Sequence, residues 1–184
     1  GSRRQAFQLG LDTGQKVIVW MEPEKYHFVP VKWPAVLPVL QGECDLVVPR
    51  RKDALASYPP YQQLSELIMN HELGNITGRG DLDLTICPRV MRPAVVNLFL
   101  DYTEKFAKEY GLDDNWGILF FPILKLLGPS NGSVHSVVVD YVHPPEQTAA
   151  EADSLEMNRK RDLQRERLVS GMRRAVEIYG YYGE

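Results

Sequence analysis

Two glutamates one residue apart, in Glu22-Pro23-Glu24, are the first residues of this chain whose types and spacing suit chemistry. They follow the apolar run Val17-Ile18-Val19-Trp20. In extended backbone, residues i and i+2 point to the same side. Pro23 stiffens the segment and biases Glu22 toward extended geometry. Two carboxylates held together repel unless a cation sits between them. Mg²⁺ or Mn²⁺ suits that place, because such an ion takes one or two protein carboxylates plus substrate phosphates and keeps some water. The plain alternative is a solvated, charged turn.

Further polar clusters recur along the chain. Arg50-Arg51-Lys52 follows a second apolar run, residues 44–49. Guanidinium forks there match phosphate oxygens, and a solvated charged face is the other reading. Tyr58, Gln62 and Glu66, with Asn70, offer the aromatic face and the amide and carboxylate groups of a sugar subsite. Glu66 and Asn70, four apart, share a helix face. The same stretch also reads as a helix N-terminus entered through Pro59-Pro60. Arg89 and Arg92 suit an anionic acceptor or donor phosphate, or simply a surface turn. Asp113-Asp114-Asn115 makes a good N-cap cluster for the apolar segment that follows.

The elements that must position these groups alternate. Residues 4–13 read as a helix stopped at Gly14, and residues 17–20 as a buried, parallel strand. Residues 29–40, with three prolines, give a short, broken helix, and residues 44–49 a second buried strand. Residues 61–73 show helical spacing with Gly74 as the stop, and residues 84–90 a short strand broken at Pro88. An amphipathic helix is expected over 95–110, an apolar helix after Asn115, a turn over 128–132 and a strand over 133–142. Residues 146–179 form a long, charged helical tail. This order predicts an α/β fold: a mostly parallel layered sheet flanked by helices, with a long C-terminal helix. In open sheets of that kind ligands bind beyond the carboxyl ends of the strands, where these polar clusters fall.

Composition narrows the classes. The 184 residues suit one domain, 1–184, with 145–184 as its charged tail. The net charge of −3 and pI near 5.9 argue against bulk electrostatic binding to nucleic acid. No apolar run approaches the roughly 20 residues of a membrane span. Cys44 and Cys87 are widely spaced and form no C-x-x-C pair. Free, buried thiols in a reducing, cytoplasmic setting are expected. The chain opens Gly1-Ser2-Arg3-Arg4 without a methionine, which reads either as a cloning remnant or as a start in mid-domain.

The order of these parts resembles the GT-A glycosyltransferases, and family 2 in particular. Val17 to Glu24 looks like the strand and D-x-D element of that fold, with glutamates replacing aspartates, and Arg3-Arg4-Gln5-Ala6-Phe7 resembles the helix before it. Residues 45–52 resemble the family strand that ends in a polar or basic residue, and residues 81–92 the segment that passes the acceptor site. The resemblance implies a Mg²⁺ or Mn²⁺ ion at Glu22 and Glu24, with His143 as third ligand. It implies Asp114, or else Asp113, as the base of an inverting reaction, with Trp116 beside them on the acceptor side. It also implies that Arg159 and Lys160, after the Pro144-Pro145 loop, reach a donor diphosphate along with Arg50, Arg51 and Lys52. The acceptor would meet Tyr58, Gln62, Glu66, Arg89 and Arg92. The family's base- and ribose-binding strands would precede residue 1, so a truncated chain is expected.

The function expected is therefore metal-dependent transfer of a sugar from a nucleotide-sugar donor to an acceptor hydroxyl, with inversion. The alternative is a non-catalytic, transferase-like domain that binds sugar or a partner protein.

Overall fold

A computed structural model describes residues 2–53, 55–128, 132–152 and 154–180. In chain order the elements are α1 (Ser2–Asp12), β1 (Ile18–Trp20), a 3-10 helix (Pro23–Val31), α2 (Trp33–Gln41), β2 (Leu46–Arg51) and α3 (Pro60–Thr77). There follow β3 (Arg89–Met91), α4 (Pro93–Asp101), α5 (Glu104–Tyr110), a 3-10 turn (Gly117–Leu119), α6 (Phe121–Leu127), β4 (Val134–Val139), α7 (Pro145–Glu151) and α8 (Leu155–Tyr179). The turn expected over 128–132 falls, at residues 129–131, outside the described residues.

The sheet corrects the sequence reading. Its four strands lie in the order β1-β3-β2-β4, and only β2 and β4 run parallel. β3 is inserted antiparallel between β1 and β2. The sheet is therefore mixed, not mostly parallel. An apolar run shows that a strand is buried but not the direction of its neighbour. β1 is an edge strand, and Val19 at its centre is exposed while Ile18 and Trp20 are buried.

β2 earned its continuous apolar reading because both sheet faces are covered. Leu46 and Val48 face one core with Phe7, Met91 and Phe121, built with α1, α4, α6 and α8. Val47 faces a second core with Phe28, Val36, Val90 and Val139, under α2 and the first 3-10 helix. Pro49 is tolerated inside β2 because β3 pairs only with Leu46 and Val47, so no ladder bond is asked of its missing N–H.

Element ends also differ from expectation: the strand expected over 84–90 forms only as Arg89–Met91, and the helix expected over 29–40 is the end of the first 3-10 helix followed by α2. α3 passes through Gly74 and stops at Gly78, whose φ of +70° makes the left-handed cap. Gly74 is instead a close-approach residue, since an added Cβ would stand 3.1 Å from the Gly80 Cα. The helix expected over 95–110 is two helices, because Thr103 starts α5 by accepting the Phe106 N–H at 3.1 Å. No helix among the described residues is long and apolar enough to cross a membrane.

Candidate functional site

β1 delivers Glu22 in extended backbone, with φ −75° and ψ 146°, and Pro23 turns the chain at once into a 3-10 helix. The Glu22 and Glu24 side chains end within hydrogen-bonding reach of each other. Glu22 Oε1 accepts from Arg3 Nη2 at 2.7 Å, and Oε2 accepts from the Cys87 thiol at 2.8 Å. Burial alone would raise Glu22, but the hydrogen bonds from Cys87 and Arg3 outweigh it and hold the carboxyl below its ordinary value. Glu24 is pushed up, by burial first and by the Glu22 charge. The surroundings thus favour the charge on Glu22 and disfavour it on Glu24, and a nearby cation would favour it on both.

β4 runs out through Tyr141 to His143, whose backbone N–H donates to Ser57 Oγ at 2.9 Å. The imidazole is 2 % exposed and stacks on Tyr58, with ring centroids 4.1 Å apart. Burial, then the charge of Lys25, pulls its pKa down to about 4. Both ring nitrogens are buried without a hydrogen-bond partner. At neutral pH this is a neutral ring with an uncommitted lone pair, the form that ligates metal.

Behind Tyr58 lies a buried ion network. Arg51 donates to both Asp83 oxygens at 2.6 Å and to Glu66 Oε2 at 2.7 Å, while Gln62 Nε2 donates to Glu66 Oε1 at 2.6 Å. Asn70 and Thr85 complete the shell around Asp83. Burial would raise Asp83, but the Arg51 charge outweighs it and holds the carboxyl low. Arg51 therefore commits both edges of its fork to Asp83, Glu66 and Thr85 and presents none to a phosphate.

The loop before the Gly117–Leu119 turn divides its two aspartates. Asp113 Oδ1 accepts from the backbone N–H groups of Trp116 at 2.5 Å and Gly117 at 3.0 Å, which is a capping role. Its Oδ2 has Arg167 at 3.9 Å. Asp114 is ion-paired with Arg4. Across from this loop, Arg161 of α8 donates through Nη2 to Gln62 at 2.6 Å and to Glu151 at 2.7 Å, and its Nη1 is buried without a partner.

These walls enclose a cavity of about 470 Å³. Of the residues singled out from sequence, Glu22, Glu24, His143, Asp113, Trp116 and Lys160 line it, as do Tyr58, Gln62 and Glu66. Lys160 is exposed and paired with Glu156 one helical turn earlier. The others stand elsewhere. Asp114 lines a neighbouring hollow with Glu166 and Ser170, on the far side of Asp113. Arg50 and Lys52 are exposed at the end of β2, outside the cavity, and so is Arg159 on α8. Arg89 is fully buried and donates to the carbonyls of Leu84 at 2.6 Å and Pro88 at 2.9 Å, and to that of Ile86, so it ties down a loop and meets no ligand. Arg92 sits 3.6 Å from Asp45, also away from the cavity. Arg89 thus bonds chiefly to carbonyls within five residues of it, and Arg92 pairs with a residue of another segment.

Sequence reasoning gave no role to Lys25 and Cys87 on the cavity wall or to Arg3 behind it. Arg161, which ends the basic run begun by Arg159 and Lys160, also stands on the cavity wall, and Gln164 shares its helical face. Among the described residues no group of three or more His, Cys, Asp or Glu converges closely enough to hold a metal by itself. Mg²⁺ needs fewer protein ligands than that when substrate phosphates supply the rest. Compared with protein-family models, curated proteins and solved structures, the chain gives no match.

Proposed function

We propose that this cavity is the site of a metal-dependent glycosyl transfer from a nucleotide-diphosphate sugar to an acceptor hydroxyl. One observation carries the reading: Glu22 and Glu24 after β1, His143 after β4 and Asp113 before the second 3-10 turn line one cavity with Trp116 and Glu66. Glu24 and His143, beside the anionic Glu22, are the residues that would hold Mg²⁺ or Mn²⁺. They would suit such an ion because the Glu22 and Glu24 side chains lie close together on the cavity wall and because both imidazole nitrogens of His143 are without a hydrogen-bond partner. When bound, the ion neutralises charge that develops on the diphosphate.

The chain's own residues supply the rest. Arg161 Nη1 and Lys160 donate to phosphate oxygens. Trp116 offers a ring face to a sugar, while Tyr58, stacked on His143 and lying under Arg51, backs that wall together with the hydrogen-bonded pair Gln62 and Glu66. Asp113 takes the place first given to Asp114, because it is the aspartate of the pair on the cavity wall. It accepts the acceptor's hydroxyl proton while that oxygen bonds to the anomeric carbon. The bond from that carbon to the diphosphate oxygen breaks, and its electron pair leaves with the diphosphate. Attack opposite the leaving group inverts the anomeric centre.

The test incubates the full chain with a panel of nucleotide-diphosphate sugars and acceptors, with Mn²⁺ or with a chelator, and follows the anomeric proton by NMR. Transfer or donor hydrolysis that needs Mn²⁺, and is lost in Glu24→Ala and His143→Ala, is the expected result. Turnover unchanged in a Glu22→Ala/Glu24→Ala variant removes the metal assignment. Donor binding without any turnover moves the chain to the non-catalytic reading.

A further inference from the structure

Arg3 lines no wall of the cavity, yet it touches three residues that do. Its Nη2 donates to Glu22 at 2.7 Å, and its Nη1 donates to the Asn115 side chain at 2.6 Å and to the Asn115 carbonyl at 3.2 Å. Its guanidinium carbon lies 4.2 Å from the Trp116 ring centroid. Glu22 and the Asn115-Trp116 loop belong to distant parts of the chain, and Arg3 spans them from α1. That helix is itself anchored, because Phe7 stacks on Trp20 at 5.2 Å and packs against Phe99 at 4.7 Å. A planar fork is what the position requires, since only arginine can bond a carboxylate and an amide while stacking on an indole.

We propose that Arg3 is a positioning residue: a strut that fixes the Trp116 wall against the Glu22 wall and so sets the width available to the acceptor. The neighbouring Arg4 fastens the same loop farther out, through the Tyr102 carbonyl at 2.8 Å and through Asp114. Tandem arginines on one helix thus hold the loop that carries Asp113 and Trp116. The acceptor part of this inference rests on the glycosyl-transfer reading, whereas the strut itself does not.

The strut is tested in the full chain by the indole N–H resonance of Trp116, identified by its loss in Trp116→Phe. In Arg3→Lys and Arg3→Gln this signal is expected to shift or broaden, while those of Trp20 and Trp33 stay in place. Asn115→Ala, which leaves Arg3 and its bond to Glu22 intact, gives a smaller shift of the same signal and serves if the Arg3 variants fold poorly. A Trp116 signal unmoved in these variants overturns the strut, whatever the chain's activity. In transfer assays Arg3→Lys raises the acceptor KM at least about tenfold, with donor KM unchanged. Equal losses toward donor and acceptor, or a loss confined to kcat, overturn the acceptor role. If the wild-type chain transfers nothing, the glycosyl reading fails and the indole measurement still decides the strut.

Discussion

A carboxylate can cap a helix, pair with a cation or take a proton, and neighbouring Asp113 and Asp114 divide these tasks by position. Asp113 is held by two backbone N–H groups with its other oxygen toward Arg167 on the cavity wall, and Asp114 is spent on Arg4. Asp113→Asn keeps a capping oxygen, so its stability should stay near that of the parent, while transfer falls about 10²–10⁴-fold if it is the base. Asp114→Asn should keep its activity and lose at most about 1 kcal/mol, the usual worth of a half-exposed ion pair. Initial rates and urea midpoints of both variants check this, and the reverse ranking would return the base to Asp114. The sequence showed two acidic residues before an apolar helix, which limits the choice to this pair. Which of them faces the cavity depends on Arg4, whose partner lies 110 residues away.

At the scale of elements, the C-terminal helix is more than a charged tail. Leu168, Met172 and Ala175 of α8 are buried in the main core, and Lys160, Arg161 and Arg167 of the same helix furnish one wall of the cavity. Gly171 lets α8 settle on α6, because a Cβ there would overlap the Phe121 ring. Gly171→Ala should destabilise the chain by about 1–3 kcal/mol, the range for overpacking a close helix contact, despite alanine's better helix propensity. Thermal or urea unfolding measures it, and a stabilised variant would mean that Phe121 moves aside freely. Helix existence was legible from spacing, and the long helix over 146–179 is found as α7 and α8. Helix ends were less legible. Gly74 and Gly78 look alike in sequence, and only the approach of Gly80 shows that the first is for packing and the second for stopping.

For the whole molecule, the buried titratable groups set how stability depends on pH. His143 has its folded pKa lowered to about 4, so between its ordinary 6.5 and that value the unfolded chain binds the proton more readily. Stability is therefore lost as pH falls through this window. Asp83 and Glu22, both held low in the folded state, add their losses as pH falls further, through the carboxylate range. Glu24, held high, runs the other way and gains stability on acidification. Urea unfolding across this range should show a declining free energy, with a shallower slope in His143→Gln between pH 6.5 and about 4. An unchanged slope in that variant would mean that the imidazole is not held neutral by its surroundings.

What the sequence determined by itself is what neighbours in the chain decide. These are the broad placing of helices and strands, the aspartate cap, and two free cysteines, which the structure buries, whereas only Glu22 of the glutamate pair is extended and Glu24 already lies in the first 3-10 helix. The fold left strand direction and the pairing of charges to contacts between distant segments. β3 entered antiparallel because it crosses between β1 and β2, and Arg51 was withdrawn from any ligand by Asp83 and Glu66. A buried charge must find a partner, and which one it finds is set by packing rather than by spacing along the chain.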